Sequence, residues 1–146
     1  MSDFEKIENI LVEKGLFVGT TSGVSMYPML RNRKDTIIIE RFSGRLKKYD
    51  VPLYKRGKKY VLHRIIDVKP EYYVILGDNC VEKEYVKEEQ ILGVLTGFYR
   101  GEKPVDMNGW RYKVYVRIWC FLFPLRYIYK KGKSIVKKIV KGIYHA

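Results

Sequence analysis

The spacing of hydrophobic and polar positions changes twice along this chain. From Asp3 to Lys14, apolar side chains recur at helical spacing with acidic ones between them, which predicts a short amphipathic helix (3–14) ended by Gly15. Between positions 16 and 99 the pattern becomes short β-branched and aromatic runs separated by turn residues, which is typical of strands. From Lys130 to Tyr144 helical spacing returns, with Ile and Val on one face and lysines over much of the remainder.

The middle of the chain therefore predicts a mainly β domain. Its strand-like runs are 16–18, 35–41, 51–55, 59–68, 71–76 and 91–99. Arg56-Gly57-Lys58 is typical of a hairpin turn, and glycines at 93 and 97 indicate a bend or bulge in the final strand. We expect one domain over residues 1–106, which would contain any catalytic site. An aromatic and basic C-terminal extension follows over 107–146 and ends in a helical tail.

Charge sets this extension apart from the rest of the chain. The net charge is +13, and twelve basic but only two acidic side chains lie from Arg100 onward, which is a surplus of ten. A basic amphipathic helix is typical of a segment that lies on an anionic membrane surface. Packing of its apolar face on the domain remains an alternative, and nucleic acid is the less favoured partner.

Neither end of the chain predicts a membrane span. The N-terminus has early acidic residues and no sustained apolar run, which argues against a secretory signal. Charged residues interrupt the apolar stretch 112–129, so it lacks the roughly 20 apolar residues of a spanning helix. We therefore expect a protein that is cytoplasmic or peripheral on the inner face of a membrane.

Few side chains can supply nucleophilic chemistry. Ser25 lies in a turn-like sequence of small residues, and a serine hydroxyl needs a base within hydrogen-bond reach. The chain has two histidines, His63 in an apolar strand-like run and His145 next to the C-terminus, so His63 is the candidate base. Cys80 and Cys120 show no metal-ligand or redox spacing, and free thiols are the simpler reading, although a disulfide stays open. No cofactor or metal is expected.

Four short boxes in this sequence resemble, in order, those of the type I signal peptidase superfamily. They are Ser25-Met26-Tyr27-Pro28-Met29-Leu30, Tyr49-Asp50-Val51-Pro52-Leu53-Tyr54, Val61-Leu62-His63-Arg64-Ile65-Ile66 and Leu76-Gly77-Asp78-Asn79. The resemblance covers roughly residues 20–94. Because histidine precedes the arginine of the third box, the chain is similar to the Ser-His branch, which includes the ER, archaeal and some sporulation-type enzymes.

The resemblance implies a role for each matching residue. Ser25 would be the nucleophile and His63 the base, with Glu84 as the acid that orients the imidazole and Asp78 in support. Glu82 is a local rival for that role. The backbone N–H of Ser25 would form the oxyanion hole, and the serine that some members carry two residues before the nucleophile is replaced by Gly23.

These expectations combine into a serine endopeptidase of signal-peptidase-like fold that acts on a peptide or precursor protein. Its substrate would be an extended leader or signal segment with small residues before the cut. A catalytically silent, membrane-associated binding module with the same fold is the alternative. A self-cleaving regulator is less favoured, because neither a DNA-binding domain nor a cleavage linker is evident.

Overall fold

The computed structural model describes residues 3–145, with side chains from residue 7 onward. The helices are α1 (Asp3–Lys14), α2 (Trp110–Phe121) and α3 (Phe123–Tyr144). The strands are β1 (Leu16–Thr20), β2 (Thr36–Glu40), β3 (Pro52–Arg56), β4 (Lys59–Leu62), β5 (Arg64–Val68), β6 (Tyr73–Leu76), β7 (Glu84–Val86), β8 (Ile91–Arg100) and β9 (Lys103–Val105). The predicted mainly β fold with helical ends is confirmed.

Two antiparallel sheets make up the β region of the described chain. The larger one has the order β1-β2-β8-β3-β4, with β9 paired to the far part of β8, and it curls into a half-barrel. The smaller one has the order β5-β6-β7. The register of β8 shifts against both of its long neighbours, next to Gly93 and Gly97, so the predicted bulges are present.

One predicted strand is wrong. Residues 59–68 form two strands in different sheets, because β4 pairs with β3 whereas β5 pairs with β6. The chain passes from one sheet to the other at His63, which belongs to neither strand. The apolar run continues through this crossing because both strands bury side chains, so periodicity alone could not reveal it.

The core has two parts, one on each side of this crossing. The first packs α1, the loop after β1 and the large sheet together, and its buried members are Leu11, Met26, Met29, Leu30, Ile37, Ile39, Val51, Leu53, Leu95 and Phe98. The second lies between the sheets and contains Leu46, Tyr54, Val61, Ile65, Tyr73, Ile75, Val86 and Ile91. Helix α2 packs on the first part through Tyr112 and Tyr115.

The C-terminal extension begins with a turn at 107–109 and continues as two consecutive helices, α2 and α3. Helix α2 ends at Phe121, and α3 begins with Pro124 in its first turn, where the missing proline N–H breaks no helical bond. The predicted tail helix therefore starts earlier than Lys130. Over the described part of the chain, no helix combines the length and the apolar character that crossing a membrane requires.

Candidate active site

The loop between β1 and β2 presents Ser25 at the side of a cleft. Three buried side chains anchor the loop in the core on both sides of Tyr27-Pro28, namely Met26 before this pair and Met29 and Leu30 after it. At its far end Arg31 forms a bidentate ion pair with the fully buried Asp35 (2.7 Å and 3.2 Å). The side chain of Ser25 stays partly exposed on this fixed loop.

The backbone around Ser25 suits an oxyanion site. Gly23 has a φ of 95°, a conformation that side-chain-bearing residues rarely adopt, which accounts for glycine at this position. Among the described residues, no protein acceptor is bonded to the N–H of Ser25. That donor is therefore free to stabilise an oxyanion, whereas a hydroxyl from position 23 is absent.

His63 faces the same cleft from the crossing between the sheets. Its side chain is buried, and with Ser25 it lines a cavity of about 640 Å³. The point where a β-carbon on Gly77 would stand lies 3.0 Å from Nε2 of His63 and 2.8 Å from the carbonyl oxygen of Ser25. The backbone of Ser25 and the imidazole of His63 are therefore close neighbours across Gly77. Among the described residues, no hydrogen bond joins the two side chains.

The absence of a side chain at Gly77 allows the Ser25 loop and His63 to lie this close. A β-carbon there would also lie 2.7 Å from Sγ of Cys80, well inside van der Waals contact. The backbone N–H of Asn79 then donates to the carbonyl oxygen of Ser25 at 2.8 Å, and its side-chain amide donates to Val24 at 3.1 Å. The Gly77–Asn79 turn thus packs directly on the loop of Ser25.

A buried tyrosine connects His63 to Glu84. The hydroxyl of Tyr54 donates to Oε2 of Glu84 at 3.0 Å and lies 3.3 Å from Nδ1 of His63. Because this hydroxyl donates its hydrogen bond to the carboxylate, its oxygen accepts a hydrogen bond from the N–H at Nδ1 of His63. Nε2 of His63 therefore carries a lone pair, which is the tautomer that a general base requires. Burial and the neighbouring carboxylate raise the pKa of Tyr54, so the hydroxyl keeps its proton.

Glu84 reaches the same imidazole directly as well. Its Oε1 lies 3.8 Å from Nδ1 of His63, and Arg56 forms an ion pair with that oxygen. Burial lowers the pKa of His63 below its ordinary value of 6.5, and the charge of Glu84 opposes this effect. The imidazole is therefore largely neutral at pH 7 and able to accept a proton.

The carboxylate of Asp78 is bonded to groups other than the imidazole of His63. Both of its carboxylate oxygens accept hydrogen bonds from Arg64 at 2.9 Å, and both side chains are almost completely buried. Tyr115 donates to the same carboxylate at 3.0 Å. This geometry supports the turn behind the site, since the buried carboxylate neutralises the buried guanidinium. Glu82, the rival acid, is exposed and pairs with Lys131 on the surface.

The C-terminal helices bond to the turn that packs on the loop of Ser25. Trp119 of α2 and Arg126 of α3 both donate to the carbonyl oxygen of Asp78. Lys130 of α3 donates to the backbone and side-chain oxygens of Asn79, the latter at 2.8 Å. Lys130 also lines the cleft, so the extension contributes a side chain to the site.

The cysteines are not arranged for catalysis. Both are free, and burial raises the pKa of the Cys80 thiol above its ordinary value of 9.0, which keeps it protonated. Within the described residues, no group of three or more His, Cys, Asp and Glu side chains could hold a metal ion.

Sequence reasoning missed Tyr54 and Lys130. The predicted hairpin at Gly57 contained a signal for the first, because its register pairs Tyr54 with Val61. Residues diagonal to such a pair, two positions further on, are close enough for an aromatic side chain to reach, and His63 has that position. No local signal could have shown Lys130, whose contact spans 51 positions of the sequence.

The structure therefore brings Ser25, His63 and Glu84 to one cleft and places Asp78 behind it. The loop, the base and the acid come from three separate parts of the chain. No model of a known protein family matches this sequence, and no curated protein matches it either.

Proposed function

We propose that this protein is a serine endopeptidase with Ser25 as nucleophile and His63 as base. The relay from Glu84 through the Tyr54 hydroxyl carries this proposal, because it leaves Nε2 of His63 unprotonated on the Ser25 side of the cleft. A histidine that served only as a core side chain would not need a carboxylate, a tyrosine and an open cleft together.

The chemistry is acyl transfer in two steps. The Ser25 oxygen attacks the peptide carbonyl while Nε2 of His63 takes its proton, and the Ser25 N–H stabilises the oxyanion. When the C–N bond breaks, the imidazolium gives this proton to the leaving amine. Water then attacks the ester with His63 again as base, which releases the acid and restores Ser25. Glu84 stabilises the imidazolium throughout, through Tyr54 and at 3.8 Å directly.

The shape of the cleft supports an extended peptide as substrate. The outermost strands of the large sheet, β1 and β4, each have one neighbour among the described strands, and residues of both line the cleft. A peptide can add to the outer edge of a sheet as a further strand through main-chain hydrogen bonds, in a position that passes Ser25. A leader or signal segment with small residues before the cut follows from the motif resemblance.

The location is proposed on charge. The basic surplus after Arg100 favours an anionic surface, and the described helices are unsuited to cross a bilayer. We place the protein peripherally on the inner face of a membrane, where a precursor peptide would meet it.

The test is covalent labelling by a fluorophosphonate together with cleavage of a leader peptide panel. We expect Ser25→Ala and His63→Ala to abolish both. Ser22→Ala is the matched control for the first, because Ser22 lines the same cleft, and His145→Ala is the control for the second. Unchanged labelling and cleavage in the Ser25→Ala and His63→Ala variants would falsify the peptidase assignment.

The silent binding module is the second candidate. It is favoured by one observation, namely that no hydrogen bond joins the Ser25 and His63 side chains among the described residues. A silent module would bind extended peptides in the cleft without cleaving them, and Ser25 would not react with the phosphonate.

A further inference from the structure

Helix α3 carries an apolar stripe that faces away from the protein. With 3.6 residues per turn, its apolar side chains fall on one side of the helix. The members of this stripe are Leu125, Ile128, Tyr129, Ile135, Val136, Ile139, Val140 and Ile143. Each is at least 44% exposed, from 44% for Val140 to 70% for Ile143. No residue of the helix is buried, so the stripe is not covered by the domain.

The domain contacts the opposite, basic side of the helix. Arg126 and Lys130 bond the Asp78–Asn79 turn, and Lys131 pairs with Glu82 at 3.1 Å. These contacts fix the first two turns of α3 on the protein and direct the apolar stripe outward. The alternative in which the apolar face packs on the domain is therefore wrong for this helix.

The remaining lysines identify the partner. Lys133, Lys137, Lys138 and Lys141 are exposed, and none of them pairs with a carboxylate among the described side chains. A partner that covers an apolar stripe flanked by unpaired cations must offer an apolar layer bordered by negative charge. A second copy of α3 would place like charges side by side, and nucleic acid would leave the stripe exposed. An anionic phospholipid surface meets both demands.

We propose that α3 lies in the interface of an anionic lipid surface, with the apolar stripe toward the acyl chains and the lysines among the headgroups. Lys130 lies in the N-terminal part of this helix and lines the cleft. Docking of α3 on the lipid therefore holds the opening of the cleft beside the lipid surface. Binding does not depend on hydrolysis, and Ser25→Ala must bind as the unaltered chain does. Failure of lipid binding and failure of the peptidase proposal are thus separate results.

The experiment is flotation of the full chain with vesicles of phosphatidylcholine alone or mixed with phosphatidylglycerol. Ile139→Asp and Ser134→Asp add the same charge to opposite sides of α3, and both positions are exposed. We expect binding to the mixed vesicles, an Ile139→Asp affinity reduced at least about tenfold, and a Ser134→Asp affinity within about threefold of the unaltered chain.

Three results would overturn this assignment. Equal losses for the two aspartate variants would mean attraction by charge alone. Equal binding to neutral vesicles would remove the role of the lysines. Absence of vesicle binding, together with self-association that Ile139→Asp abolishes, would make a second copy the partner of the stripe.

Discussion

Removing one hydroxyl tests the relay on which the proposed chemistry depends. Tyr54→Phe keeps the buried ring but deletes the oxygen that accepts the Nδ1 proton of His63 and donates to Glu84. The imidazole then has two ways to keep that proton bonded. It can move toward Glu84 at 3.8 Å, or it can shift the proton to Nε2, which makes it useless as a base.

The size of the effect follows from these two outcomes. Replacing the carboxylate of a catalytic triad, which leaves the wrong tautomer, lowers rates about 10⁴-fold. Here the carboxylate remains 3.8 Å from Nδ1, and a small movement of the imidazole would bring the two into hydrogen-bond contact. We therefore expect a loss on the order of 10–100-fold in rate. The unsatisfied buried donor should also lower the free energy of unfolding by about 1–3 kcal/mol.

Tyr73→Phe is the matched control for this change. Tyr73 is fully buried like Tyr54, its hydroxyl donates to Glu88 at 3.0 Å, and it accepts from the N–H of Leu46 at 3.1 Å. Both variants delete a hydroxyl that bridges a donor and a carboxylate. We expect both variants to lose a similar free energy of unfolding. Each kcal/mol of this loss should lower Tm by about 2–4 °C.

The assay is the second-order rate of fluorophosphonate labelling at pH 7, measured beside thermal unfolding for both variants. Only Tyr54→Phe should slow the labelling. If both variants, or neither, label more slowly at comparable stability, the hydroxyl does not orient the base and the relay is refuted.

The remaining predictions concern His63, Gly77 and Asp78. Because burial keeps the pKa of His63 below 6.5, the labelling rate should reach half its maximum below pH 6.5. Glu84→Gln removes a charge that raises this pKa and should move that midpoint lower. The free energy of unfolding should also fall as the pH drops below 6.5, since the unfolded histidine binds the proton more readily. Gly77→Ala places a methyl group within 3.0 Å of three neighbouring atoms and should slow labelling by roughly 10²-fold or more, as a displacement near 1 Å can. Asp78→Asn leaves Arg64 buried without its partner and should lower the free energy of unfolding in urea by about 3–5 kcal/mol.

Each of these has a control or a contrary result. A midpoint above pH 6.5, or an upward shift in Glu84→Gln, would contradict the electrostatics described for the site. Gly132→Ala adds a methyl group with nothing within 4 Å and should leave labelling unchanged. Glu82→Gln alters an exposed ion pair and should leave stability nearly unchanged in urea, so an equal loss to that of Asp78→Asn would remove the argument from burial.

The local patterns in the sequence were sufficient for most elements. Helix α1 and its end at Gly15, where φ is 71°, follow from side-chain spacing and from the freedom of glycine. Strand β2 follows from three consecutive isoleucines, and the hairpin from Gly57. The sequence also predicted the amphipathic character of α3, because a few turns of helix are enough to show the helical period.

Among the candidate site residues, the sequence by itself determined the candidate base, since only one histidine lies away from the C-terminus. It left the acid open between Asp78, Glu82 and Glu84. Tertiary structure separated these three: one neutralises Arg64, one pairs on the surface, and one reaches His63. Such a distinction depends on which strands become neighbours, and no short window of sequence contains it.

Tertiary structure also decided the two features that spacing could not. The strand-like run 59–68 divides between sheets at His63 because pairing partners, rather than hydrophobicity, define a strand. The apolar stripe of α3 faces outward because Arg126 and Lys130 find oxygens on the Asp78–Asn79 turn. A sequence specifies which faces a helix has, whereas long-range contacts determine which of them the protein covers.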